Sequence, residues 1–136
     1  MLLNKLKKIY NIQKKFTEHF FRQKFNLSLA EIKDSKELKI RWNKEYILSL
    51  IVEATEILNE IDWKMHRTKH VDSDDEKILE ESIDMLKYLL GLFIINGFTV
   101  DDVYDMFMKK SEIVEKRFKK ELTRDKKWIN QKIQKL

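Results

Sequence analysis

The chain has 136 residues, of which 28 are lysine or arginine and 23 are aspartate or glutamate, so its net charge is +5 at neutral pH. Hydrophobic residues make up 43%, whereas two glycines and no proline exclude the tight turns of a β-sandwich and the glycine-rich loop of a nucleotide-binding α/β fold. The absence of cysteine excludes disulfides, thiolate metal sites and cysteine nucleophiles. This length and composition predict one all-α domain over residues 1–136, with a four-helix core.

The first half of the chain has the pattern of two long helices. The first predicted helix runs from Leu3 to about Lys24 and places apolar residues and Gln13 along one face. Asn26–Ser35 is predicted to be a connection that packs on the protein. The second predicted helix covers Lys36–Met65, and the polar stretch His66–Ser73 is the clearest loop in the sequence.

The second half of the chain predicts two further helices. Ser73 followed by Glu76 has the spacing of a capping box, so a third helix is expected to begin there. It is expected to end just before Gly97, which can take the left-handed conformation that terminates helices. A fourth predicted helix starts at Thr99 and lasts to about Leu122, and a short amphipathic helical tail follows it.

The third predicted helix is apolar on nearly every side. At about 100° per residue, one apolar side faces the core and a second side, formed by Met85, Leu89 and Leu92, points the opposite way. A helix of this kind is buried on more than one side. We therefore expect a homodimer in which this second side meets another subunit. The alternative is that the tail helix or the segment Asn26–Ser35 covers it.

Charge and hydropathy also restrict the partners of the chain. The basic excess lies at the two ends, in Lys5–Lys15 and Lys116–Lys135, while the middle is acidic, so we do not expect a nucleic-acid partner. The longest apolar stretch, Met85–Ile95, contains Lys87 and is shorter than the roughly 20 residues that span a bilayer. No signal-peptide core is present, so we expect a cytoplasmic protein without a membrane partner.

Acidic residues lie beside the apolar stripe of two predicted helices. Glu53 and Glu56 are three residues apart on the second, and Glu81 and Asp84 are three apart on the third, so each pair shares a face. Glu60 lies on the same flank as the first pair. Carboxylates next to a core are costly unless they are paired or bind a metal, and their hard oxygens suit Mg²⁺ or Mn²⁺. The alternative is a solvated acidic face that pairs with lysines.

The order of these motifs resembles that of the all-α nucleoside triphosphate pyrophosphohydrolases, which include the MazG-like enzymes and the dimeric dUTPases. The phage-type members of the dimeric dUTPase family are the most similar, and the resemblance covers about Ile9 to Phe118. The residues that carry it are Gln13 within Ile9–Phe16, the run Glu53-Ala-Thr-Glu56, the pair Trp63-Lys64, and the run Glu81-Ser-Ile-Asp84.

The resemblance implies a magnesium-dependent enzyme that hydrolyses a (deoxy)nucleoside triphosphate, with dUTP the expected substrate, to the monophosphate and pyrophosphate. It implies Mg²⁺, with Mn²⁺ as a substitute, bound by Glu53, Glu56, Glu81 and Asp84. Glu56 is expected also to orient the attacking water. The expected substrate contacts are Gln13, Trp63, Lys64, Lys110 and Arg117. The competing hypothesis is a catalytically silent helical module that binds a protein or nucleic acid through its basic ends.

The segment from Tyr104 to Phe118 departs from the family pattern. Ser111 and Val114 stand where the family has asparagines that hold the nucleoside, whereas Lys110 and Arg117 keep their spacing of seven. An apolar wall discriminates between bases less well than paired hydrogen-bonding groups do. We therefore expect that triphosphate hydrolysis is retained, and that base discrimination is relaxed or rebuilt around other residues.

Overall fold

The computed structural model describes the backbone of residues 2–66, 68 and 72–133, and the side chains of residues 5–66, 68 and 72–128. This part of the chain is all-α, as predicted, and contains no strand. The described residues divide after Val100 into two compact units. Within them, no single helix is both long enough and apolar enough to cross a membrane. The helices are α1 (Leu2–Phe25), α2 (Leu29–Asp34), α3 (Lys36–Asn59), α4 (Asp75–Ile95) and α5 (Val100–Ile133).

The segment predicted as a connection contains the short helix α2. Its start is a capping box: the Ser28 hydroxyl accepts a hydrogen bond from the Glu31 amide at 3.2 Å, and the Ser28 amide donates to the Glu31 carboxylate at 2.7 Å. Ser35 ends α2 and caps α3, because its hydroxyl accepts from the Leu38 amide at 3.3 Å. The segment packs on the protein as predicted, with Ile32 fully buried, but the sequence analysis did not identify its helix.

Three predicted helix boundaries are corrected by the structure. Helix α3 ends at Asn59 rather than Met65, because the backbone leaves the helix at Glu60. The N-cap of α4 is Asp74 rather than Ser73, since the Asp74 carboxylate accepts from two backbone amides of the first turn at 3.1 and 3.2 Å. Helix α5 continues to Ile133 without a break near residue 122, because no proline or glycine follows residue 97 to stop it.

Gly97 behaves as predicted. Its φ of 77° lies in the left-handed region, and its amide donates to the Ile94 carbonyl at 3.0 Å, which closes the end of α4. The residue must remain glycine for this conformation to be free of strain.

Two clusters of buried side chains form the core of the first unit, and α4 contributes to both. Edge-to-face packing of Phe21 against Trp42, with ring centroids 4.6 Å apart, joins α1 to α3. The first cluster consists of Tyr10, Leu90, Ile94 and Val100, and the second of Phe21, Ile32, Trp42 and Ile95.

The side of α4 that was predicted to meet a second subunit is partly used inside the chain. Leu92 packs against the second core cluster, which includes Ile32 of α2, and Met85 and Leu89 are half-buried. Leu92 is therefore packed within the chain, against a cluster to which the Asn26–Ser35 segment contributes Ile32. The predicted interface loses Leu92, and the homodimer itself stays a prediction.

Candidate metal and nucleotide site

Carboxylates from α3 and α4 converge where the two helices pack side by side. Glu53 on α3, and Glu81 and Asp84 on α4, each place a carboxylate oxygen within 4.8 Å of the others. All three residues are half-buried. Their placement follows from helix geometry, since Glu81 and Asp84 are one turn apart and both face α3. We call these three residues the carboxylate cluster.

Partial burial, and after it the crowding of like charges, raises the pKa of two carboxyl groups of the cluster. Partial burial raises the pKa of Glu53, and the negative charges of Glu56 and Asp84 raise it further. Partial burial also raises the pKa of Glu81, with added contributions from a hydrogen bond with Glu56 and from the surrounding carboxylates. Like charges at this range favour the protonated form. The metal-free cluster therefore holds protons more tightly than isolated carboxylates do.

The fourth predicted ligand, Glu56, lies at the edge of the cluster. It is exposed, and its carboxyl group is within hydrogen-bonding reach of Glu81. Glu60 is placed differently, because it is the C-cap residue of α3 and its carboxylate lies 3.9 Å from the Lys77 ammonium. The structure thus brings together Glu53, Glu56, Glu81 and Asp84, and it leaves Glu60 paired elsewhere.

A lysine that the sequence analysis did not assign to the site lies beside the cluster. The Lys87 ammonium lies 3.1 Å from a carboxylate oxygen of Asp84. Asp84 precedes Lys87 by one turn of α4. The positive charge of Lys87 lowers the pKa of Glu53 and so opposes the effect of the neighbouring carboxylates. The spacing of three residues from Asp84 was the available signal, because residues three apart on a helix are neighbours.

A cavity of about 430 Å³ opens beside the cluster. Glu53, Asp84 and Lys87 lie on its wall, together with the amide side chain of Gln13 from α1. Cavities of this size that combine apolar walls with a few polar groups are typical of small-molecule sites. The aromatic residues that line the cavity are Phe16, Phe20, Trp42, Tyr46 and Tyr88.

Gln13 is the predicted substrate contact that the structure places in this cavity. The residue is 9% exposed, and the Thr17 hydroxyl donates to its backbone carbonyl at 2.8 Å. Gln13 lines the cavity, so the donors and the acceptor of its amide are available to a ligand there.

Tyr46 forms part of the cavity wall because Gly91 leaves room for it. A Cβ atom at Gly91 would lie 2.2 Å from Cε1 of the tyrosine ring, so the ring rests directly on the backbone of α4. The same ring packs edge-on against Tyr88, with centroids 6.0 Å apart. Burial raises the pKa of Tyr46 to about 12.

Two predicted substrate contacts lie in the segment after α3. Trp63 is half-exposed, and the Lys64 ammonium lies 5.1 Å from the centre of its ring, in a cation–π contact. Neither residue is among the described residues that line the cavity.

The remaining predicted contacts are on α5. Lys110 and Arg117 are exposed and share a face of the helix, since residues seven apart are nearly aligned. The hydroxyl of Ser111 donates to the Phe107 carbonyl at 2.9 Å, and Val114 is exposed.

The sequence analysis placed apolar residues on the helix face of Gln13 but did not assign an aromatic wall to the site. Phe16 and Phe20 follow Gln13 at spacings of three and seven, and Tyr46 precedes Glu53 by seven. Residues at these spacings share a helix face with the predicted site residues. The same-face rule would therefore have identified most of the wall.

The donor set of the cluster fits a hard divalent cation. Three half-buried carboxylates from two helices supply only oxygen donors, which Mg²⁺ and Mn²⁺ prefer. The described residues offer no mixed histidine–carboxylate cluster of the kind that favours zinc.

Comparison with known proteins agrees with this geometry. A family model described as dUTPase matches residues 5–134. No curated protein matches the chain, and no solved structure matches it.

Proposed function

The chain belongs to the all-α dimeric dUTPase family, and we propose that it hydrolyses dUTP to dUMP and pyrophosphate at the carboxylate cluster of α3 and α4. Membership makes it a dUTPase-like nucleoside triphosphate pyrophosphohydrolase, a hydrolase of nucleotide metabolism. The observation that carries the proposal for the site is the meeting of Glu53, Glu81 and Asp84 at the wall of an aromatic cavity that also contains the Gln13 amide.

We propose that Glu53, Glu56, Glu81 and Asp84 hold the divalent cations on which this family generally depends. Mg²⁺, or Mn²⁺ in its place, would neutralise the charge of the triphosphate and lower the pKa of a water molecule. In the overall reaction, the water oxygen bonds to the α-phosphorus and the bond from that phosphorus to the α–β bridging oxygen breaks. Pyrophosphate then leaves, and the water loses a proton.

Glu56 is our candidate for orienting the attacking water. It is the exposed member of the four carboxylates, and it is within hydrogen-bonding reach of Glu81. A carboxylate at that position can accept a hydrogen bond from a water molecule and take its proton. The half-buried members of the set are better placed to serve only as ligands.

The aromatic cavity is our candidate for the base pocket. The Gln13 amide carries one acceptor and two donors, which can pair with the N3–H group and a carbonyl oxygen of uracil. The same amide turned by 180° can pair with the N3 and amino groups of cytosine. Gln13 alone therefore separates uracil from cytosine poorly, and we expect relaxed discrimination between dUTP and dCTP.

We also propose cationic contacts for the phosphates of the substrate. Lys110 and Arg117 present their charges on one exposed face of α5, a geometry that suits phosphate oxygens. Trp63 and Lys64, which are held together by their cation–π contact, are retained as further candidate contacts.

A homodimer is part of the proposal. Large apolar side chains remain exposed on α3 and α4 of the single chain, beyond the scattered few that are normal on a monomer. They include Ile47, Leu48, Ile51 and Val52 on α3, and Leu79 and Ile83 on α4. A second copy that packs on this surface would remove them from water.

Pyrophosphate release from purified protein tests the proposed reaction. We expect release from dUTP with Mg²⁺ or Mn²⁺ and none with EDTA, and a measurable rate on dCTP but a much lower rate on purine nucleotides. Absence of release from every triphosphate in the presence of either metal would contradict the proposal and favour the silent helical module.

A further inference from the structure

Lys87 stands at the junction of the cavity and the carboxylate cluster. Its ammonium lies 3.1 Å from Oδ1 of Asp84, and its side chain is 55% exposed. It lines the same cavity as Gln13 and Tyr88. Lys87 is therefore accessible from the cavity while it forms an ion pair with Asp84, a proposed metal ligand.

The charges around this lysine are strongly unbalanced. Glu53, Glu81 and Asp84 lie within 4.8 Å of one another, and Glu56 adds a fourth carboxyl group. Of the described cations, Lys87 is the one that forms an ion pair with a member of the cluster. The other lysine near the first turns of α4, Lys77, pairs instead with Glu60 and Asp74 at 3.9 and 4.0 Å.

We propose that Lys87 is a tethered counter-ion of the site, which competes with the divalent metal for Asp84 and so weakens metal binding to the nucleotide-free protein. This inference rests on the proposed function, because it takes the carboxylate cluster as the metal site. The oxygen that Lys87 contacts must be released before it can ligate a metal, and a fixed positive charge beside the site repels a divalent cation.

Competition of this kind couples metal binding to substrate binding. A triphosphate brings negative charge that compensates both the metal and the ammonium, so the penalty that Lys87 imposes is smallest when nucleotide and metal bind together. The nucleotide-free protein then binds metal weakly, and the metal is retained mainly when the substrate is present. Lys87 acts here as a positioning residue through Asp84, since it is not itself a metal ligand.

Calorimetric titration of the nucleotide-free protein with Mn²⁺ and with Mg²⁺ at low ionic strength tests the inference. Lys87→Gln is expected to lower the metal Kd by about threefold to tenfold, since it removes one nearby positive charge. Lys87→Arg keeps the charge and should restore a Kd close to that of the unmodified protein. Lys77→Gln removes one charge from the same helix outside the cluster. Its metal Kd should stay within about twofold of that of the unmodified protein.

The outcomes separate this inference from the proposed function. An equal or larger Kd in Lys87→Gln, with metal still bound by the unmodified chain, overturns the role of Lys87 alone. No metal binding by the unmodified chain or by any variant overturns the metal site and this inference with it. A repeat at high ionic strength should shrink the difference between Lys87→Gln and the unmodified chain, because salt screens an exposed charge. A difference that does not shrink would contradict the electrostatic explanation.

Discussion

The carboxylates of Glu53, Glu56, Glu81 and Asp84 lie close enough to repel one another. Partial burial and, after it, crowding raise the pKa of both Glu53 and Glu81, so the metal-free site holds protons more tightly than free carboxylates do. Only Lys87 opposes this effect among the described residues that contact the cluster. A divalent cation would relieve the repulsion among the carboxylates, and removal of the cation would restore that repulsion.

Glu56→Gln tests the residue that we assign to the attacking water. The substitution keeps the shape of the side chain but removes its charge and its ability to accept a proton, so hydrolysis of dUTP should fall by orders of magnitude. The metal-free variant should be at least as stable as the unmodified protein, because one repulsive charge is gone. Rates of pyrophosphate release and thermal melting in EDTA measure the two effects.

Glu80→Gln is the matched control for this change. Glu80 is exposed on α4, next to Glu81 in sequence but on a different face of the helix. The Glu80→Gln enzyme should retain full activity on dUTP. An active Glu56→Gln enzyme would remove Glu56 from the mechanism.

Tyr46 gives the site a testable response to alkaline pH. Burial raises its pKa from 10.0 to about 12, so the folded protein keeps the phenolic proton at pH values where the unfolded chain has lost it. The unfolded state then binds fewer protons, and stability falls as the pH rises from 10.0 towards about 12.

Tyr46→Phe has no proton to lose at this position. Its unfolding midpoint in urea should therefore fall less steeply with pH over the same window than that of the unmodified protein. Equal slopes for the two proteins would show that Tyr46 ionises equally easily in the folded and unfolded states.

At the level of helices, local sequence signals predicted which helices exist better than where each helix begins and ends. The amphipathic patterns of α1 and α3, the long apolar pattern of α4 and the glycine at residue 97 were sufficient to place these elements. The Ser28–Glu31 capping box was present in the sequence but was not recognised, so α2 was missed. The end of α3 could not be predicted, because the apolar and polar pattern continues past Asn59 while the backbone does not.

The contacts of the site also differ in how well the sequence predicted them. Spacing of three on each helix placed Glu53 with Glu56, and Glu81 with Asp84, but the approach of the two helices determines which oxygens meet. The ion pair of Lys87 also depends on side-chain conformation that spacing does not specify. Partners within one helix were thus predictable, and partners across helices required the structure.

Gly91→Ala tests how α3 and α4 build the cavity wall. An alanine usually stabilises a helix interior relative to glycine, by up to about 1 kcal/mol. Here the new Cβ would lie 2.2 Å from the ring of Tyr46, so the ring must move, and we expect a loss of about 1–3 kcal/mol in unfolding free energy. Urea denaturation measures this loss.

Exposed positions of α4 provide the comparison for Gly91→Ala. Glu80→Ala should change the unfolding free energy by no more than about 0.5 kcal/mol. A Gly91→Ala protein as stable as the unmodified chain would mean that Tyr46 does not rest on the backbone of α4.

At the scale of the whole molecule, the exposed apolar surface of α3 predicts assembly. Light scattering should give twice the 16.6 kDa of one chain. Leu48→Glu places a charge among Ile47, Ile51 and Val52, and it should produce monomers if a second copy covers these residues. Lys36→Glu, at the exposed start of α3, introduces the same residue outside this surface and should leave the dimer intact. A stable monomer for the unmodified chain would contradict the predicted homodimer.

The central claim is that the carboxylates between α3 and α4 hold the catalytic metal beside a base pocket. Anomalous X-ray scattering from crystals grown with Mn²⁺ and a non-hydrolysable dUTP analogue tests it most directly. We predict a manganese peak among the oxygens of Glu53, Glu81 and Asp84, with the uracil ring against Gln13 in the aromatic cavity. A manganese peak at another position, or no peak at these carboxylates while the nucleotide is bound, would contradict the claim.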